Sequence, residues 1–588
     1  MKLNILKISL TAALAALSLA AAAQNLDPTV VVNRAYEGKL LEVNKPMFEM
    51  HVPDTVKQFA LDFDYSVFEN PYKGSYDFKP YQLLMKPMAS NRDFSRFWLK
   101  AGAGYTLYPE LGLVWTPAMT GKFKMNVYGD YDGYIGSYRT FMPNMSDNGQ
   151  VVLERWRNAD RKSKTWNGYR MKAKAGIDGS VDLKKAVVNF DVAYRGIAAK
   201  DTLKGRMYNG VDARVNVASR PSGSDYFLYD ITAAYRFGKD ALRYRSGEGS
   251  VTENIFEFDA TLGRMISGTH NILMDAGFDY YSYAGDIAGG ISELSLAPHY
   301  VFGKDRWDIS VGLLVAKMIK TQESEHFDSR EQLVYPDIDV RYALIKDAMS
   351  VYAKVGGGNR VNTYSSLLER NPYLHLSYGN RRQLLDLSVE RISTAVGVDG
   401  RISKRFTYNV NAGFAAYGNG LLEKVAIYSD AEGGSNYGLT YDYASYNKLF
   451  VGLGWNWHTD DISFNGSAEY AHYSAKDSEG LFLPSALTGD VAFEYNWNRR
   501  LFLGVDCRFA TEKKGVITRD DDLDLGMNLP MSAVIPGYAD LGVYAEYSLN
   551  RKLSFWLRGG NLMNATVQYA PLYAEKGINF TAGICLKL

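Results

Sequence analysis

The chain has 588 residues and a formal net charge of +1, from 66 Lys and Arg against 65 Asp and Glu. So even a balance excludes a global field that would gather nucleic acid, and 2 Cys exclude a disulfide framework or a cysteine metal knuckle. The 43 Tyr and 54 Gly against 17 Pro suit long antiparallel strands.

The first element is a targeting segment. Lys2 and Lys7 precede an apolar stretch from Ile8 to Leu19, and Ala21-Ala22-Ala23 then leads into Gln24. This is the pattern of a cleaved secretory signal peptide over residues 1–23. The apolar stretch is shorter than the roughly 20 residues of a spanning helix. No Cys follows the cleavage site, so no lipid anchor is expected. Beyond Gln24 no apolar run is long enough to span as a helix. A mature chain resident in a membrane must then be a closed barrel, because only helices and closed barrels satisfy every backbone group in lipid.

Residues 24–95 form the second segment. Asp27, Pro28, Thr29, Val30, Val31 and Val32 make a short β-prone run. Pro46, Pro53, Pro71, Pro80 and Pro87 then interrupt any long amphipathic pattern. The segment reads as an extended periplasmic or luminal arm, with Phe59, Phe63, Tyr65 and Phe68 available to pack against a wall.

From residue 96 to 588 one pattern repeats: alternating apolar and polar residues over about ten positions, then a turn. Phe406, Tyr408, Val410, Ala412, Phe414 and Ala416 share one face, as do Leu541, Val543, Ala545, Tyr547 and Leu549. Short turns are expected at Thr120-Gly121-Lys122, Leu183-Lys184, Arg220 to Gly223, Ser267-Gly268-Thr269, Gly303-Lys304-Asp305, Lys346-Asp347, Ser403-Lys404, Thr459-Asp460, Asn498-Arg499 and Asn550-Arg551. Long loops fall between them, near 134–165, 196–207, 239–251, 319–332, 359–387, 418–447, 475–483 and 512–536. All lie on one side if strands alternate up and down, as in a barrel with tight periplasmic turns and long external loops. The expected fold is all-β, a transmembrane antiparallel barrel of about 22 strands. Phe580, Ala582, Ile584, Leu586 and Leu588 form the apolar face of a last strand that pairs with the first near Phe97 and removes both edges. Cys507 is placed on the lipid face and Cys585 on the inner face, so two free thiols are expected.

Candidate chemistry is sparse. The 7 His show no metal-ligand spacing. Glu323, Glu325, Asp328 and Glu331 read as a solvated loop. His458 beside Asp460 and Asp461 reads as a turn flanked by Trp455 and Trp457. Trp115, Trp307 and Trp497 join these as interface anchors. Lys184, Lys185, Lys404, Arg405, Arg499, Arg500, Arg551 and Lys552 read as solvated turns. No catalytic residue, metal or cofactor is expected, and the chain is read as a non-enzyme.

The stretch Ser554 to Asn564, with Asn561-Leu562-Met563-Asn564, followed by Gly577 to Gly583, resembles the last hairpin of TonB-dependent receptor barrels. Asp27 to Val32 loosely resembles a TonB box. An arm followed by a full barrel resembles TonB-dependent-receptor-like outer-membrane proteins of Bacteroidota. The family's globular plug has well over a hundred residues, whereas about 70 lie between the signal peptide and the first strand here. The resemblance implies an outer-membrane location, contact with outer-membrane lipid and passage or porin-like uptake of a solute. It also implies docking of Asp27, Thr29, Val30, Val31 and Val32 to a periplasmic TonB-like protein. The alternative is a structural or interaction subunit of an outer-membrane complex, with a closed lumen.

Overall fold

A computed structural model describes residues 96–588, apart from single residues and loop segments of which 156–164, 321–331, 375–384 and 520–530 are the longest. The signal peptide and the arm, including Phe59, Phe63, Tyr65 and Phe68, lie outside the described residues, as do Glu323, Glu325, Asp328 and Glu331.

Period-two sequence becomes period-two exposure. Val396 is 60% exposed, Leu449 58% and Phe580 50%, all on outward faces. Water would penalise so wide an apolar band, whereas lipid accepts it, and this makes the chain an outer-membrane barrel. The inward faces carry charge in pairs. Lys100 meets Glu110 at 2.6 Å, Lys354 meets Asp339 at 2.7 Å, and Asp212 receives both Arg195 (2.6 Å) and Arg236 (2.7 Å).

The barrel closes with 22 antiparallel strands. Asn579–Lys587 returns to pair with Phe97–Gly104, from Trp98 opposite Lys587 to Gly104 opposite Thr581. Reciprocal backbone bonds of 2.8 Å between Phe97 and Leu588 finish the seam. Asp305, Asp347, Asn498 and Arg499 take positive φ in the short turns. Three of these four are the Asp or Asn types that tolerate the left-handed region best.

Three expected loops are largely strand. Ala186–Lys200 runs almost directly into Lys204–Ser219, Tyr226–Tyr244 into Gly247–Ile266, and Phe406–Ser429 into Ser435–His458. Beyond the lipid the outward face no longer requires apolar residues, so the alternation fades while the backbone ladder continues. Five further strands lie outside the barrel wall. Phe141–Met145, Val151–Arg155, Met531–Ile535, Lys513–Arg519 and Leu481–Phe482 pair in series and join the outer end of Phe406–Ser429. Val425, Leu439, Phe482, Ile517, Ala533 and Ile535 form an apolar core beneath this external sheet.

Both cysteines are free. Cys585 is 3% exposed on the inner face beside Thr581, whereas Cys507 alternates outward with Leu503 and Val505. Mass spectrometry of the unreduced, alkylated protein is expected to find two modified thiols. An intramolecular Cys507–Cys585 bond would contradict the face assignment.

Candidate functional site: the external closure of the lumen

Two external loops turn inward and meet. The first follows strand Met349–Val361. Thr363 caps helix α1 (Tyr364–Arg370), its hydroxyl accepting from Ser366 N at 3.2 Å. Tyr364, Leu367 and Leu368 share one face at i, i+3 and i+4. Leu367, Leu368 and the following Leu374 are fully buried against Ile197, Tyr208, Leu242 and Ile255 of the wall. Each such side chain contributes roughly 1.5–3 kcal/mol of burial.

Polar groups fix the same loop. Tyr364 OH donates to Asp240 at 2.5 Å, and Arg206 Nε lies 3.5 Å from that carboxylate. Glu253 accepts from Tyr208 OH at 2.6 Å and from Ser365 N at 3.2 Å. Lys204 Nζ and Arg206 both donate to the Leu374 carbonyl, at 2.5 and 2.9 Å. Arg195 pairs with Glu369, whose carbonyl also accepts from Lys172 Nζ at 2.9 Å. Asp240 and Glu253 are fully buried, so their partners are required rather than decorative.

The second loop, 561–578, joins the last two strands. Asn561 and Asn564 take positive φ of 46° and 51°. Asn561 clips the base of the loop, donating to the carbonyls of Ala565 and Lys576 at 2.9 Å each and accepting from Ala565 N at 2.8 Å. These are the two Asn positions of the hairpin motif, and their conformation gives that motif a physical reason. Arg139 bonds Asn564, Arg170 pairs with Glu575 at 2.7 Å, and Tyr573 OH donates to Asp201 at 3.0 Å. The Nζ of Lys576 lies 3.1 Å from the centre of the Tyr108 ring. The loops touch where Tyr373 stacks on Tyr573, at 4.5 Å and an interplanar angle of 3°.

The expected site residues Asp27, Thr29, Val30, Val31 and Val32 lie outside the described residues. His458 ends a strand, its N–H bonded to the Arg405 carbonyl at 2.9 Å, and Thr459 Oγ accepts from Ile462 N at 3.0 Å. This is turn chemistry. Trp115, Trp307, Trp457 and Trp497 are 46%, 44%, 36% and 54% exposed at the ends of outward faces. Among the described residues no group of three or more His, Cys, Asp or Glu is placed to hold a metal ion. The sequence reading missed the closure itself. Its signal was a capped run with helical spacing, Thr363 to Leu368, inside an expected loop.

No protein-family model matches the sequence, and no curated protein is similar to it. Solved structures are similar in fold. The FrpB iron transporter of Neisseria meningitidis (F3-3 variant) superposes with a TM-score of 0.59 at 10% identity, over 84% of this chain and 81% of that one. The siderophore receptor PirA of Acinetobacter baumannii gives 0.58 at 10% identity, over 84% and 80%. The copper transporter OprC gives 0.59 at 10% identity, again over 84% and 80%. These likenesses give the fold, a TonB-dependent-receptor-like barrel, in agreement with the resemblance of the last hairpin.

Proposed function

We propose that this chain is a gated, non-enzymatic outer-membrane barrel for uptake of a solute. The observation that carries the reading is the external closure, where two loops meet over a charge-lined lumen and are held there by ion pairs, hydrogen bonds and the Tyr373–Tyr573 stack. The similar structures are named for iron, siderophore and copper, so small metal complexes are the first solutes to test. In this reading residues 25–33 present Asp27, Thr29, Val30, Val31 and Val32 to a periplasmic TonB-like partner by strand addition. The rest of the arm, to residue 95, partly closes the lumen. Support comes from the β-propensity of the valine run, its place just after the cleavage site, and the barrel likeness.

Deleting 25–33 is expected to abolish partner capture and energised uptake while leaving a heat-resistant barrel. Unchanged capture and uptake would end the TonB-box reading. The apolar packing of Leu367, Leu368 and Leu374 favours a second reading, an interaction subunit with a permanently closed lumen. A protein that stays non-conducting after both closure and arm are disrupted would decide for it.

A further inference from the structure

Among the described residues, ten at the periplasmic rim share one stereochemical position. The residue just before an upward strand accepts, through its carbonyl, an N–H from the neighbouring strand pair. Going round the seam, five successive positions hold Arg500, Lys552, Arg96, Lys122 and Lys185, accepting from Ser548, Lys587, Thr116, Asp182 and Arg220 at 2.7–3.0 Å. All five basic residues are exposed. The same position on the far side of the rim holds Thr269, Ala348 and Asp461 beside Arg306 and Arg405. The far rim also exposes Lys304, Lys346, Arg401 and Lys404, but Asp305, Asp308, Asp347, Asp460 and Asp461 are interleaved with them, so among the described residues the unbalanced positive charge lies in the arc. Among the described residues its acidic neighbour at these turns is Asp182, which Lys124 (3.1 Å) and Arg220 already engage.

Apolar side chains accompany the arc. Trp115, Phe123, Leu183, Trp497 and Leu549 are 38–54% exposed and sit at the same turns. Trp115 and Trp497 continue the outward faces of their strands. Cations just beyond an outward aromatic belt sit where headgroup phosphates lie, with alkyl stems able to run along lipid. A protein partner beneath the rim would need no outward aromatics at the same depth.

We propose that the arc from residue 498 through the seam to residue 185 is a binding surface for anionic phospholipid headgroups of the periplasmic leaflet. It fixes which side of the barrel gathers such lipid.

The test uses the full mature protein in detergent, with phosphatidylglycerol or phosphatidylethanolamine added and bound lipid counted by native mass spectrometry. Wild type is expected to retain phosphatidylglycerol at about tenfold lower lipid concentration than phosphatidylethanolamine. The quadruple variant Lys122→Gln, Lys185→Gln, Arg500→Gln, Lys552→Gln is expected to lose that preference. Arg306→Gln with Arg405→Gln, on the far side, is expected to keep it. These are exposed turn positions, and a heat-modifiability gel checks that each variant is folded. Equal retention of the two lipids by wild type overturns the proposal, as does a preference that survives the quadruple variant. A preference seen only after residues 25–90 are deleted overturns it too, and assigns the arc to the chain's own arm.

Discussion

Gly583→Val is expected to abolish the heat-resistant barrel. Gly583 stands at the seam, opposite Gly102 on the first strand and Trp556 on the other neighbour. A Cβ there would collide with the Ala101 carbonyl and lie 2.6 Å from Gly102 Cα and 2.7 Å from Trp556 Cε2. Two of these three are backbone atoms, so no rotamer change relieves the clash. Trp556 cannot retreat either: it is 2% exposed, packed with Tyr544 and Cys585, and its Nε1 donates to the Ile584 carbonyl at 3.3 Å. Overpacking a core typically costs about 1–3 kcal/mol. Here the cost falls on the one strand pair that closes the sheet, and losing that pair exposes two edges at once. Ile584→Val, one residue away on the lipid face, is expected to fold normally. Refolding followed by gel electrophoresis with and without heating measures both. An equal folded fraction for Gly583→Val would show that the seam tolerates a side chain.

The barrel was legible because lipid makes the sequence simple. Each strand needs apolar residues outward and polar residues inward, so Phe406 to Ala416 and Leu541 to Leu549 announce both strand and face. Turn positions were legible for the same reason, since ten interruptions share one spacing logic. What alternation could not reveal is structure outside the lipid. The outer halves of Phe406–Ser429 and Ser435–His458 are regular ladder, yet nothing there demands an apolar face, and they read as loop. The external sheet brings Val151–Arg155 against Met531–Ile535, residues far apart in sequence, and only the fold places them together. The closure was half legible. The Thr363 cap and the spacing of Tyr364, Leu367 and Leu368 are local signals. Arg170 reaching Glu575 and Tyr373 stacking on Tyr573 are not.

The two closing loops differ in what holds them, and this decides which opens. The α1 loop rests on three fully buried leucines as well as polar bonds. Loop 561–578 buries Val567 and sets Ala570, Leu572 and Tyr573, only partly buried, against the external apolar core. Its long-range polar ties are chiefly Arg170–Glu575 and Tyr573–Asp201, so losing Arg170 and Tyr573 removes both ties and one of the apolar contacts. The variant Arg170→Ala, Tyr573→Ala is therefore expected to free loop 561–578 while α1 stays in place. Removing one partner of a part-buried ion pair costs on the order of 2 kcal/mol. At 1.4 kcal/mol per factor of ten, the open fraction rises about 30-fold. Planar-bilayer recordings of the mature chain, and of a chain lacking residues 25–90, separate the loop from the arm. Unchanged open time in both backgrounds would mean that loop 561–578 is no gate. The same loop predicts a pH dependence. Burial, with Arg170 adding repulsion, pushes the Lys576 amine down to about 7. Once the loop swings into water the amine returns toward its ordinary value of 10.5. The open state then binds the extra proton between these values, so the closed state gains stability as pH rises from about 7 toward 10.5 and changes little below 7. Open time is expected to fall from pH 7 to pH 9 in wild type and to lose that slope in Lys576→Met, whose apolar side chain can keep its place over Tyr108 without a proton to release.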